Sequence, residues 1–109
     1  MGIGITTFNV TVASAGTRVR VQTASQAAQA IIFESHEANT GSVYIGNSSV
    51  STASYVKRIT AGNSFSINAL PGARPGPDGG MLQLNQFYVD AGTAAQVVCV
   101  SYVLHLGTF

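Results

Sequence analysis

Glu34, His36 and Glu37 stand close together, and with Cys99, His105, Asp78 and Asp90 they make up most of the chemistry this chain could perform. A zinc site needs three or four ligands, and the chain has only two histidines and one cysteine. If the segment is an alternating strand, Glu34 and His36 share a face while Glu37 falls in the following turn. His105 is far along the chain, so His36 reads as a surface histidine at a strand end. Four carboxylates make a glycosidase pair arithmetically possible, but their spacing suggests no cleft. Serines are plentiful, yet neither histidine has the local setting of a base that would activate one. The glycines follow neither a Walker nor a dinucleotide pattern and open no helix. Cys99 lies in Val97-Val98-Cys99-Val100 with no lysine or histidine nearby. It reads as a small buried hydrophobe, not a reactive thiol, and a single cysteine forms no internal disulfide. The expectation is therefore no catalytic residue, no metal, no cofactor and no enzyme.

The elements that position these residues belong to one domain, residues 1–109, long enough to bury a core without staples. Hydrophobic residues make up an ordinary 46%, but charged residues only 8%, against about 25% in a typical soluble domain. The surface is thus polar but weakly charged and repels its neighbours poorly. That suits a protein packed in an assembly, or a secreted serine- and threonine-rich module. A net charge of +1 from scattered cations cannot track a phosphate backbone, so nucleic acid is not an expected partner. No apolar run reaches the length of a membrane span. Met1-Gly2-Ile3-Gly4-Ile5-Thr6 fits the loose N-myristoylation pattern, although an apolar arm over residues 1–5, docking on a neighbour through Ile3 and Ile5, accounts for it equally well.

Period-2 alternation dominates. Phe8, Val10 and Val12 fall on one face and Asn9 and Thr11 on the other. After an Ala15-Gly16 turn, Val19 and Val21 point inward while Arg18 and Arg20 point outward, as a hairpin or as two strands around a corner. The two arginines either meet an acidic patch or are a solvated face. Ser25 to Ala30 is helix-capable by propensity, but the branched and aromatic Ala30-Ile31-Ile32-Phe33 favours a strand from Gln29 to Ser35. Strands follow over Ser42 to Gly46, Ala53 to Thr60, and Ser64 to Ala69. The Leu70 to Gly80 segment holds all three prolines, so no strand crosses it. It is a long Pro/Gly loop over 71–80, carrying contacts through Arg74 and Asp78 or merely tolerated. Met81 to Leu84 and Phe87 to Val89 are out of phase, which puts a bend near Asn85-Gln86. The last strand, about Ala95 to Leu106, is apolar on both faces, hence central or covered by a partner. About eight strands at this spacing predict an all-β fold, a single antiparallel β-sandwich of jelly-roll type. Tyr44, Tyr55, Tyr88 and Tyr102 either stack sugars, as in sandwich lectins, or pack on the pleated faces.

Asn39-Thr40-Gly41-Ser42-Val43-Tyr44-Ile45-Gly46, Ala61-Gly62-Asn63-Ser64-Phe65-Ser66-Ile67, Phe87-Tyr88-Val89-Asp90-Ala91 and Gln96 to Tyr102 together resemble a group of small tailed-phage virion proteins. In that group an N-x-G-x-V-Y-[IV]-G strand is followed by G-x-S-F-S-I, I-Y-V-x-A and V-x-V-x-Y. The likeness runs from about Phe8 to Leu106, and the Pro71 to Gly80 insertion departs from it. It implies a jelly-roll-like structural protein with no catalytic residues to carry over, made in the host cytoplasm and placed on the virion. Within a bacteriophage the resemblance leaves open a capsid cement or decoration protein bound to the major capsid protein, or a tail, fibre or other host-recognition component. Small size and an uncharged surface favour cement. A homo-oligomer, dimer or trimer, is expected. The contact residues would be Ile3, Ile5, Arg18, Arg20, Arg74 and Asp78, with the outward face of the last strand.

Overall fold

The computed structural model describes residues 3–24, 26–69 and 82–105. The 71–80 loop with Arg74 and Asp78, and residues 1–2, lie outside the described residues. Among the described residues ten strands follow in order: β1 (Ile3–Val12), β2 (Val19–Arg20), β3 (Ala27–Ala28), β4 (Ala30–Ser35), β5 (Val43–Gly46), β6 (Lys57–Ile59), β7 (Ser64–Asn68), β8 (Leu82–Gln83), β9 (Tyr88–Ala91) and β10 (Gln96–His105). One 3-10 turn, Leu84–Gln86, supplies the phase change between β8 and β9.

Strand pairing is nested. β1 pairs with β10, β2 with β9, β3 with β8, β4 with β7, and β5 with β6, all antiparallel. The chain is therefore one long ribbon folded back on itself and rolled. Two further antiparallel contacts, β10 with β4 and β5 with β9, close the roll into a sheet β1-β10-β4-β7 and a sheet β2-β9-β5-β6. This double-sheet nesting is the jelly-roll arrangement. β1 and β2 belong to different sheets, so the Ala15-Gly16 segment is a corner between sheets. Gly16 turns it with φ +79°, a left-handed conformation that favours glycine.

Alternation decides the core. The first sheet sends Val10, Val12, Ile31, Phe33, Val98 and Val100 inward, and the second answers with Val43, Ile45, Ile59, Val89 and Ala91, all buried. Phe65 and Ile67 of β7 pack against this cluster, and Phe33 meets Phe87 with ring centroids 5.7 Å apart. The small β3–β8 pair adds Ala28, Leu82 and the adjoining Leu84 to the same cluster.

Three elements differ from the sequence expectation. Residues 3–5 are not a free arm. They continue β1 and pair with residues 103–105 of β10, so the ladder runs without interruption from Ile3↔His105 to Val12↔Gln96. The strand expected over Ala53 to Thr60 shrinks to Lys57–Ile59. Ser51 and Ser54 form a local bridge instead, with the Ser51 hydroxyl accepting from the amides of Ala53 (3.2 Å) and Ser54 (3.1 Å). Such side-chain bonds compete with the sheet ladder. Finally, the helix-capable segment contributes the short strand β3.

Ala95, just before β10, has φ +63°, where its Cβ is strained. Its amide bonds to the Val12 carbonyl at 2.9 Å, so the ladder holds it there. Ala95→Gly is expected to stabilise the fold by up to about 1 kcal/mol in urea unfolding, relief of strain outweighing the added entropy of the unfolded chain.

Candidate functional site

Strand registers place the outward side chains of the β1-β10-β4-β7 sheet in rows. Ile5, Val103, Ala30 and Asn68 form one; Thr7, Ser101, Ile32 and Ser66 the next; Asn9, Cys99, Glu34 and Ser64 a third. Only Glu34 in these rows is charged. Ile5 is 69% exposed and Ile32 38%, and the Thr7 and Ser101 hydroxyls bond at 3.0 Å. The result is a broad, weakly charged face with apolar residues at one end. The outward face of the last strand lies along its middle.

Cys99 is on this outer face, half-buried, and not in the core as its apolar neighbours suggested. Because β10 is central, strands flank Cys99 on both sides, and among the described residues no layer covers it. Partial burial pushes its thiol above the usual value, and the cross-strand Glu34 carboxylate adds to the rise. Little thiolate forms near neutrality, which makes it a poor nucleophile. A groove of about 370 Å³ runs between Glu34, His36, Glu37, Gly62 and Cys99. His36 accepts a bond from the Ala38 amide on Nδ1 at 3.0 Å and so caps the turn after β4. Among the described residues no three His, Cys, Asp or Glu side chains are grouped so as to hold a metal ion.

The outer face of the other sheet is built differently. Arg20 lies opposite Tyr88 across the β2–β9 pair; its Nε donates to the Tyr88 hydroxyl at 2.8 Å, and its guanidinium sits 5.2 Å from the ring centre. Asn47, Ser48, Asn85 and Gln86 surround this pair in an open pocket of about 310 Å³. Beside it the segment from Asn47 to Val56 folds back over the sheet. A Cβ on Gly46 would stand 2.9 Å from Val50 Cγ2, so glycine here lets the segment lie flat, and Val50 is buried against it. Tyr44 and Tyr55 pack with centroids 5.0 Å apart. Asp90, which alternates with the core residues Val89 and Ala91, is buried on this covered side, one carboxylate oxygen accepting from the Ala91 amide at 2.7 Å.

Of the expected contact residues, the four that are described, Ile3, Ile5, Arg18 and Arg20, are thus not brought together. Ile3 and Ile5 lie at the far end of β1, whereas Arg18 and Arg20 are exposed at the edge of the opposite sheet. The Asn39 run, which has the look of a ligand loop, is a structural clamp. The Asn39 side-chain amide accepts from the Val97 amide (2.9 Å) and donates to the Val97 carbonyl (2.8 Å), imitating a strand neighbour, and also reaches the Ser35 hydroxyl (2.8 Å). Gln96, 3% exposed, accepts from the Thr40 and Gly41 amides, both at 2.9 Å. These two amide side chains went unread in the sequence because their partners are more than fifty residues away; the only local signal was their polarity beside apolar strands.

No known protein family, curated protein or solved structure matches the chain. The candidate surfaces are therefore read from their own chemistry.

Proposed function

We propose that this protein is a structural component of a phage virion, a cement or decoration protein that binds the capsid exterior and stabilises the shell. The observation that carries the reading is the weakly charged outer face of the β1-β10-β4-β7 sheet, with Ile5 and Ile32 exposed on it. Such a face gains by packing against another protein surface and strips few charges of their water in doing so. The phage resemblance of the strand motifs and the chain's 8% of charged residues support it. In this role copies lie over junctions between subunits of the major capsid protein, and many weak contacts add through multivalency against the pressure of packaged DNA. No catalysis is involved.

The Arg20–Tyr88 pocket favours a second reading, a host-recognition component that binds carbohydrate. An arginine fork and three amide side chains suit hydroxyl and carboxylate groups of a glycan.

Particles lacking the protein separate the two. Under the cement reading they assemble but release DNA at lower temperature or under milder salt stress than complete particles. Equal robustness with failed adsorption to cells overturns cement in favour of host recognition.

A further inference from the structure

Among the described residues the two four-stranded sheets have four edge strands, and two of them are protected against pairing with another chain. β2 has two residues and ends on Arg20, and β6 has three and carries exposed Lys57 and Arg58; β7 is uncharged but, at five residues, half the length of β1. Short length and positive charge are the usual means by which sheet edges avoid one another. β1 has neither. Its ten residues, IGITTFNVTV, include no charge and no proline, and its register with β10 has no bulge from end to end. Among the described residues nothing pairs with its outer edge.

We infer that β1 is a self-association edge, and that a second copy of this chain pairs its own β1 antiparallel to it, joining two four-stranded sheets into one of eight. The free edge is a row of amides and carbonyls that another strand satisfies, with about one hydrogen bond for each residue overlapped. An equally long, straight and uncharged strand meets that row without like-charge repulsion and without stranding a charge at the join, and β1 itself is such a strand. An antiparallel pair of identical strands has its two-fold axis normal to the sheet. Outward residues then meet outward residues of the same set, Ile5, Thr7, Asn9 and Thr11, and the exposed Ile5 side chains are carried onto a single continuous face. The register centred on Thr7 sets Thr7 against Thr7, and the one centred on Phe8 sets Thr7 against Asn9. The inference is independent of the virion reading and concerns the isolated protein.

Sedimentation of the purified chain together with amide hydrogen exchange tests it. The expected result is a concentration-dependent dimer in which the β1 amides facing away from β10, fast to exchange at high dilution, slow by at least about tenfold as the dimer forms. Thr7→Lys with Asn9→Lys puts lysine opposite lysine in both registers, and should weaken the dimer by at least about tenfold. Ser66→Lys with Asn68→Lys adds the same charge on β7 and should leave it unchanged. A monomer at about 100 µM, an oligomer whose outward β1 amides stay fast, or dissociation by the β7 pair alone would each overturn the assignment. The exchange measurement uses the unaltered protein, so it decides the matter even if the lysine variant fails to fold.

Discussion

Replacing Phe33 by alanine is expected to remove about 3–5 kcal/mol of stability, a large part of what a domain of this size possesses. Phe33 is fully buried at the centre of β4, flanked by Val100 on β10 and Phe65 on β7, with Phe87 in tilted ring contact across the sandwich. The neighbours are held by two sheet ladders and cannot collapse into the void, so the full cavity term applies. Thermal unfolding should shift down on the order of 15–20 °C. Phe33→Leu, which keeps most of the volume, should recover more than half of the loss. A loss below about 1 kcal/mol for the alanine variant would mean that the sandwich core is not assembled as described.

Gln96→Ala is expected to cost about 1–3 kcal/mol although no apolar contact is central to it. The side-chain oxygen of Gln96 is the acceptor for two successive backbone amides, Thr40 and Gly41, and its nitrogen donates to the Ala94 carbonyl at 2.9 Å and to the Thr40 hydroxyl at 3.3 Å. Alanine leaves those groups, which are only partly open to water, without their shared partner. In hydrogen exchange the loss should appear first in residues 39–42 and at the start of β10, and only later in β7. Uniform loosening of both sheets would argue that Gln96 acts by volume alone. By contrast, deleting the exposed Thr7–Ser101 hydroxyl bond should move stability by less than about 0.5 kcal/mol.

The difference between these two sites matches what could be read from the chain. Phe33 is legible because Ile31, Phe33 and Ser35 alternate with Ile32 and Glu34, a local pattern of period two. The same pattern locates β5, β7 and β10, and with them the all-β sandwich. Gln96 is illegible because nothing within ten residues of it says that Thr40 and Gly41 are its partners. The arm reading does not hold for residues 3–5 for a related reason: Gly2 and Gly4 break the local alternation, and it is β10, far along the sequence, that draws residues 3–5 into a ladder. Where the Ser51 to Ser54 segment left the expected strand, local hydroxyl bonds outcompeted a sheet edge that only Tyr44 and its neighbours on β5 supply. The surfaces followed the same division. Arg20 falls on an outward position by local alternation and is exposed, but its placement on the sheet opposite Ile5 depends on pairings that no local window contains.

The nested pairing also governs when this protein can fold. β5 and β6 need only the segment 47–56 to close, whereas β1 must wait for β10, with everything from residue 13 to 95 in between. Loop closure therefore favours zipping from the β5–β6 hairpin outward, each successive pair brought within reach by the one before. During synthesis β1 emerges long before β10 and stays without this partner until β10 has cleared the ribosome. In that interval its uncharged sequence is free on both edges, and neighbouring nascent chains on one message present the same strand. Slow completion of the outermost pair lengthens the time for which this strand is open to association before the sandwich is finished.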